Sequence, residues 1–180
     1  MTVQGDREDA PPRWLMIAAI LLTLTALGTV LAVAASRRSP PAPIPIVAVP
    51  AAQANTPECR ALLGELPDRL GDYQRAATAD PTPAGTAAWH SYSRSEPVIL
   101  RCGLSRPAEF VVGAPIQMVD DVSWFRLDDP DLERTTWVCV DRPVYVALTL
   151  PDGSGPAPIQ DLSDVIERTL TQQPIRPGRL

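Results

Sequence analysis

The sequence predicts an α+β domain: a small, mainly antiparallel sheet flanked by an N-terminal and a C-terminal helix, preceded by one transmembrane helix. Three observations point there. Residues 14–35 carry no charge; apolar residues recur at helical spacing at both ends of the remaining chain; and between those ends lie short alternating or β-branched runs parted by turn residues. Helix, then strands, then helix is the order of an α+β layer rather than of an alternating α/β sheet.

At ~1.5 Å per residue the uncharged run makes ~33 Å of helix, enough for a bilayer core of ~30 Å. Ala32, Val33 and Ala34 offer the small residues at which a signal peptide is cut. A cleaved signal has a shorter apolar core of ~7–15 residues, so residues 14–35 read as an uncleaved anchor in the lipid bilayer. Arg7 and Arg13 on one side balance Arg37 and Arg38 on the other, which leaves the positive-inside count tied. The short leader, residues 1–13, is an ordinary cytoplasmic tail, and the cysteines suit an oxidising compartment. The expected topology is single-pass in the cell membrane, N-terminus cytoplasmic, C-terminal domain extracytoplasmic.

All 16 basic residues are Arg, which removes lysine Schiff bases, Ser-Lys dyads and the usual phosphate-binding loop. From Thr56 onward 12 Arg face 18 acidic residues, a net of −6. An acidic domain has little non-specific affinity for nucleic acid, which is not expected as a partner. Residues 57–172 suffice for one core and one domain.

Residues 36–56 contain Pro40, Pro41, Pro43, Pro45 and Pro50, a composition that favours extended chain, and read as a proline-rich linker holding the domain up to ~60 Å from the membrane. The other reading is that Ile44, Ile46, Val47 and Val49 fold back as a short edge strand. Thr56 and Pro57 then open a helix with Cys59, Leu62, Leu63 and Leu66 on one face, which Pro67 ends. Residues 76–88, with Pro81, Pro83 and Gly85, read as a surface loop. Strands are expected over 97–102, over 109–113 with 116–119 as a broken pair, and over 122–127 with 135–140 as a hairpin around Asp128, Asp129, Pro130 and Asp131. Residues 144–150 give the clearest strand. Ile159, Leu162, Val165, Ile166 and Leu170 form the apolar stripe of a last helix, and residues 173–180 read as a flexible tail.

Four stretches carry a resemblance: 59–67, 96–107 around Leu100, Arg101, Cys102 and Gly103, 122–125, and 141–146. Together they resemble the actinobacterial membrane-anchored family known as domain of unknown function 3515, over about residues 57–170. The resemblance implies a single-pass envelope protein and brings no catalytic residues. Three cysteines permit three pairings. The family pattern includes cysteines at Cys59 and Cys102, and that disulfide is the expected one, closing a loop worth ~4 kcal/mol of chain entropy. Cys139 departs from the pattern and reads as a small core residue.

No motif names an enzyme. His90 is the single histidine and reads as a surface residue on a loop, with no nucleophile motif around Ser91, Ser93 or Ser95. The acids at 128–133 lack calcium-loop spacing, and no cysteine pair has zinc spacing, so neither metal nor cofactor is expected. Trp89, Arg101, Arg106, Trp124 and Arg142 are the candidate interaction surface; gathered together they would suit a carboxylate or an acidic peptide. The reading is an uncharacterised membrane-anchored envelope protein, a non-enzymatic accessory or interaction module contacting another envelope protein. The alternative is a ligand-binding or hydrolytic domain acting on cell-wall precursors.

Overall fold

The computed structural model describes residues 13–36 and 42–179. They fall into two compact units, one holding the N-terminal helix and the other starting at Ala42. The first unit is α1 (Arg13–Ser36), long and apolar enough by composition to cross a membrane, and its residues 13–33 are exposed. Thr23, Thr25 and Thr29 donate their hydroxyls to carbonyls one turn back, so these polar atoms are satisfied within the helix.

In the second unit Thr56 caps α2 (Pro57–Gly64), its hydroxyl accepting from the Cys59 amide, and Pro57 takes the first helical position, where its missing N–H costs nothing. The helix stops before Leu66, with Pro67 beyond it. Eight strands follow: β1 (Arg69–Leu70), β2 (Tyr73–Ala76), β3 (Thr86–Ser91), β4 (Arg94–Leu104), β5 (Ile116–Val119), β6 (Val122–Asp129), β7 (Arg134–Cys139) and β8 (Tyr145–Pro151). A 3-10 turn (Pro130–Leu132) joins β6 to β7, and α3 (Ala157–Thr169) ends the regular structure. The sheet order is β1-β2-β3-β4-β8-β7-β6-β5, antiparallel throughout. Two four-stranded meanders are thus sealed along the β4–β8 ladder.

Side-chain alternation divides the core between the two sheet faces. Val98, Leu100 and Cys102 of β4, with Val146, Leu148 and Leu150 of β8, meet α2 through Leu62 and α3 through Ile159, Leu162, Val165 and Ile166. The opposite face holds a smaller cluster of Phe110, Phe125, Val138, Val140 and Ala147. The α+β class, with one helix before and one after an antiparallel sheet in chain order, is what the sequence predicts.

Four local expectations are corrected. Residues from Ala42 onward are part of the folded unit, not a spacer: Ile44 bridges Thr78, Ile46 and Ala54 are buried, and the Gln53 amide donates to the Gly103 carbonyl. Gly103 sits at a bulge with φ +85°, and a Cβ there would collide with the backbone of Gln53 and Ala54. Residues 76–88 are only partly loop, since β2 and β3 claim both ends and put Trp89 and His90 in a strand. Residues 109–113 form no strand, only a bridge from Val111 to Gly178. That bridge holds the tail expected to be flexible: the Val112 amide donates to Gly178, and the Gly178 amide to Phe110.

Candidate functional site

A disulfide joins Cys59 of α2 to Cys102 of β4, both fully buried in the main core, with Cα atoms 5.7 Å apart. Cys139 of β7 is the free cysteine, and it is buried. Desolvation, and after it the charge of Asp141, pushes its thiol pKa well up, so the nucleophilic thiolate is disfavoured. Among the described residues no group of three or more His, Cys, Asp or Glu could hold a metal ion.

The structure does not bring the five candidate surface residues together. Trp89 and Trp124 point to the helix side of the sheet and are fully buried. Their indole N–H groups are spent on the Pro67 carbonyl and the Ser163 hydroxyl, both at 3.0 Å. Arg142 is buried against Asp141 at 2.9 Å and also donates to the Asp121 carbonyl at 2.9 Å. Arg106 is exposed beside Gly178, and Arg101 is half-buried in β4. For the two tryptophans the cause is strand parity, which turns them toward the helices and the main core. His90, also in a strand, packs edge-on against Tyr92 at 5.0 Å.

Two arrangements remain that carry polar chemistry. The first is Asp141, at a cleft of about 480 Å³ lined also by Met118, Ser123, Gln172, Gln173, Pro174 and Ile175. Its Oδ2 accepts from the Ser123 amide at 3.0 Å, while Oδ1 pairs with Arg142 and takes the Cys139 thiol at 3.6 Å. Its hydrogen-bonding capacity is committed to the fold, so it acts as a brace.

The second lies on the sheet face away from the helices. The registers Arg101↔Ala147, Ile99↔Thr149 and Thr136↔Thr149 put Arg101, Thr149 and Thr136 on one face, and alternation adds Arg134 two residues before Thr136. The Thr136 and Thr149 hydroxyls bond each other at 3.0 Å. Arg134 reaches Glu96 at 3.3 Å. Arg101 has no hydrogen-bond or ion-pair partner among the described residues, and the Nε of each arginine is buried and unpartnered. Desolvation, and then the like charge of Arg134, lowers the Arg101 pKa from its ordinary value. Sequence reasoning finds Arg101 and misses Arg134, which looks like one more charge beside an acidic hairpin turn until the β7–β8–β4 register is known.

The family model for a protein of unknown function (DUF3515) matches residues 18–175. No curated protein and no solved structure matches the chain significantly.

Proposed function

Because the chain belongs to the DUF3515 family, a family without an assigned activity, we propose from its own physics that it is a single-pass membrane protein. In this reading its folded unit works outside the cytoplasm as a non-enzymatic accessory to another envelope protein. The observation that carries the reading is α1, a 24-residue apolar helix whose residues 13–33 are exposed. Such a helix is stable where lipid replaces the missing core. The disulfide between Cys59 and Cys102 supports an oxidising compartment for the other unit, and hence a cytoplasmic leader.

The accessory role is supported by how the reactive side chains are used. Asp141 is paired, Cys139 is held as a thiol, and His90 packs edge-on against Tyr92. What the unit offers outward includes Met118, 70 % exposed on the edge strand β5, beside Ile175 on the rim of the Asp141 cleft. Apolar side chains around a shallow cleft suit a protein contact better than bond cleavage. The hydrolytic half of the alternative has no paired nucleophile and base among these residues; its ligand-binding half draws support from Arg101.

The test is photocrosslinking in cells of the native host, with the reactive residue at Met118 or, as a control, at the exposed Glu167 of α3. One envelope protein captured from Met118 alone, retained when α1 is exchanged for an unrelated span, is the expected result. Capture from both positions or from neither overturns the accessory reading. Recovery of a mature chain cut after Ala34 overturns the anchor.

A further inference from the structure

We propose that the outer edge of β5 takes up an extended segment of the partner protein as an added strand. That segment is apolar at alternate positions and carries basic side chains where it meets Asp120 and Asp121. The inference rests on the accessory reading and names the mode of contact and the chemistry of the partner. β5 ends the sheet, pairing with β6 on one side and with no strand on the other. Val119 and Val122 face each other across a loop of two residues, Asp120 and Asp121, and a pair closing so short a loop exchanges both its backbone hydrogen bonds. Bonded and non-bonded pairs then alternate along the ladder. Gln117 therefore bonds to Trp124, while Met118 and Ile116 turn their amides and carbonyls away from β6. Among the described residues nothing bonds to those outward groups.

Sheet edges are ordinarily blunted by charge, by a bulge or by a covering loop. β5 has no charged residue, its register with β6 is unbroken, and Ile116, Gln117 and Met118 are exposed. The Ala114 amide is spent on the Val111 carbonyl at 3.0 Å and Pro115 has no N–H, so the open ladder is confined to Ile116 and Met118 and suits a strand of about three residues. Pairing with Phe125 and Ser123 puts the Ile116 and Met118 side chains on the face away from the helices, where Met118 and Ile175 rim the cleft of about 480 Å³. Side chains of an added strand on that face land on these apolar groups, which selects apolar residues at alternate positions. Charge selects the rest. Asp120 and Asp121 are exposed at the end of β5, with no ion-pair partner among the described residues. A second copy of this chain would bring the same acids and the same sign of net charge, which disfavours self-pairing, whereas a basic segment is attracted. In the antiparallel sense, the more stable pairing, the basic residues precede the apolar ones.

The probe is a capped synthetic peptide in which two arginines precede alternating valine and threonine, titrated into the purified full chain in non-ionic detergent. Backbone amide NMR resonances report binding. Saturable shifts centred on the Ile116 and Met118 amides are expected. Met118→Pro removes an outward N–H and no bond of the β5–β6 ladder, so its urea midpoint should lie near that of Met118→Ala. It should nonetheless bind the peptide about 10-fold or more weakly than Met118→Ala, which has lost the same side chain but keeps the N–H. Asp120→Asn combined with Asp121→Asn keeps a residue that tolerates the left-handed turn at position 120, where φ is +51°. That variant should weaken the arginine peptide by about 3-fold or more and leave a peptide with glutamine in place of arginine unchanged.

No saturable shift, equal binding by Met118→Pro and Met118→Ala, or an arginine peptide that binds no more tightly than the glutamine peptide overturns the proposal. If Met118→Pro unfolds, two peptides N-methylated at alternate residues decide the matter on the wild type. Only one set of alternate amides faces β5, so one methylated peptide should lose binding and the other keep it; the same effect in both overturns strand addition. Capture of an envelope protein from Met118 in cells without peptide binding overturns strand addition alone. Peptide binding without capture overturns the accessory reading and keeps β5 as a strand acceptor.

Discussion

The Asp141 and Arg142 side chains are each 2 % exposed and lie 2.9 Å apart. Taking either ion out of water costs several kcal/mol, and the pair is tolerated because each charge is met and the Ser123 amide and Asp121 carbonyl take further valences. Asp141→Asn keeps the shape and strands the guanidinium, so it should cost about 3–5 kcal/mol in urea unfolding. Asp141→Asn combined with Arg142→Met should cost less than Asp141→Asn alone; additive losses would show that the pair is not the unit of stability. Cys139 gives a second residue-scale prediction, with a defined sign. Its pKa is raised on folding, so above the ordinary thiol pKa of 9.0 the unfolded chain releases a proton that the folded chain keeps. The contribution is intact below that pH and declines as pH rises above it. Relative to Cys139→Ala, the wild type should lose stability between pH 8 and 10, and its thiol should react with alkylating reagents only after denaturation. Equal pH slopes in the two proteins would contradict this.

At the scale of elements, α2 is eight residues long, too short to persist without tertiary support, and the Cys59–Cys102 disulfide holds it to β4. Replacing both cysteines by alanine should cost about 4 kcal/mol by loop entropy, measured as a lower urea midpoint with an intact far-UV spectrum of the sheet. A loss of well under about 2 kcal/mol would mean that packing of Leu62 alone suffices to seat the helix. The elements legible in the sequence are those whose own pattern outweighs their surroundings. Thr56 and Pro57 mark a helix start, residues 144–150 form a largely apolar run closed by Pro151, Asp152 and Gly153, and the stripe Ile159, Leu162, Val165, Ile166 has helical period. β1 and β2, two and four residues long, and the alanine-bearing β3 carry no such pattern and become strands by pairing towards β4. The candidate site fails for the same reason. Arg101 is legible as a cation in a strand, but whether Trp89 faces core or solvent is a question of parity. Arg134 comes to share its sheet face only through two ladders that no local spacing encodes.

For the whole molecule the decisive question is where the folded unit begins, because composition and packing give different answers for residues 42–55. Proline content argues for free chain. Against it, Ile44 exchanges hydrogen bonds with Ala77 and Ala79 at 2.8 and 2.9 Å, Ile46 is 8 % exposed, and Gln53 docks on Gly103 at 3.1 Å. Proline is no obstacle here, since Pro43 and Pro45 flank a single residue whose bridge to Thr78 is isolated from the strands, where an absent N–H breaks no ladder. Burying Ile46 is worth about 1.5–3 kcal/mol and each of the three backbone hydrogen bonds about 1 kcal/mol, against the entropy of ordering the segment. A chain starting at Ala42 should therefore unfold as one cooperative unit, and a chain starting at Thr56 should be less stable by about 2 kcal/mol or more with the disulfide intact. Paired urea melts of the two, read by tryptophan fluorescence, check this. Coincident midpoints would restore residues 42–55 to the role of a spacer. A gap of the expected size would mean that the segment following the anchor is part of the domain's edge, so lengthening the chain before Ala42 should leave stability unchanged while insertions after Ile46 should not.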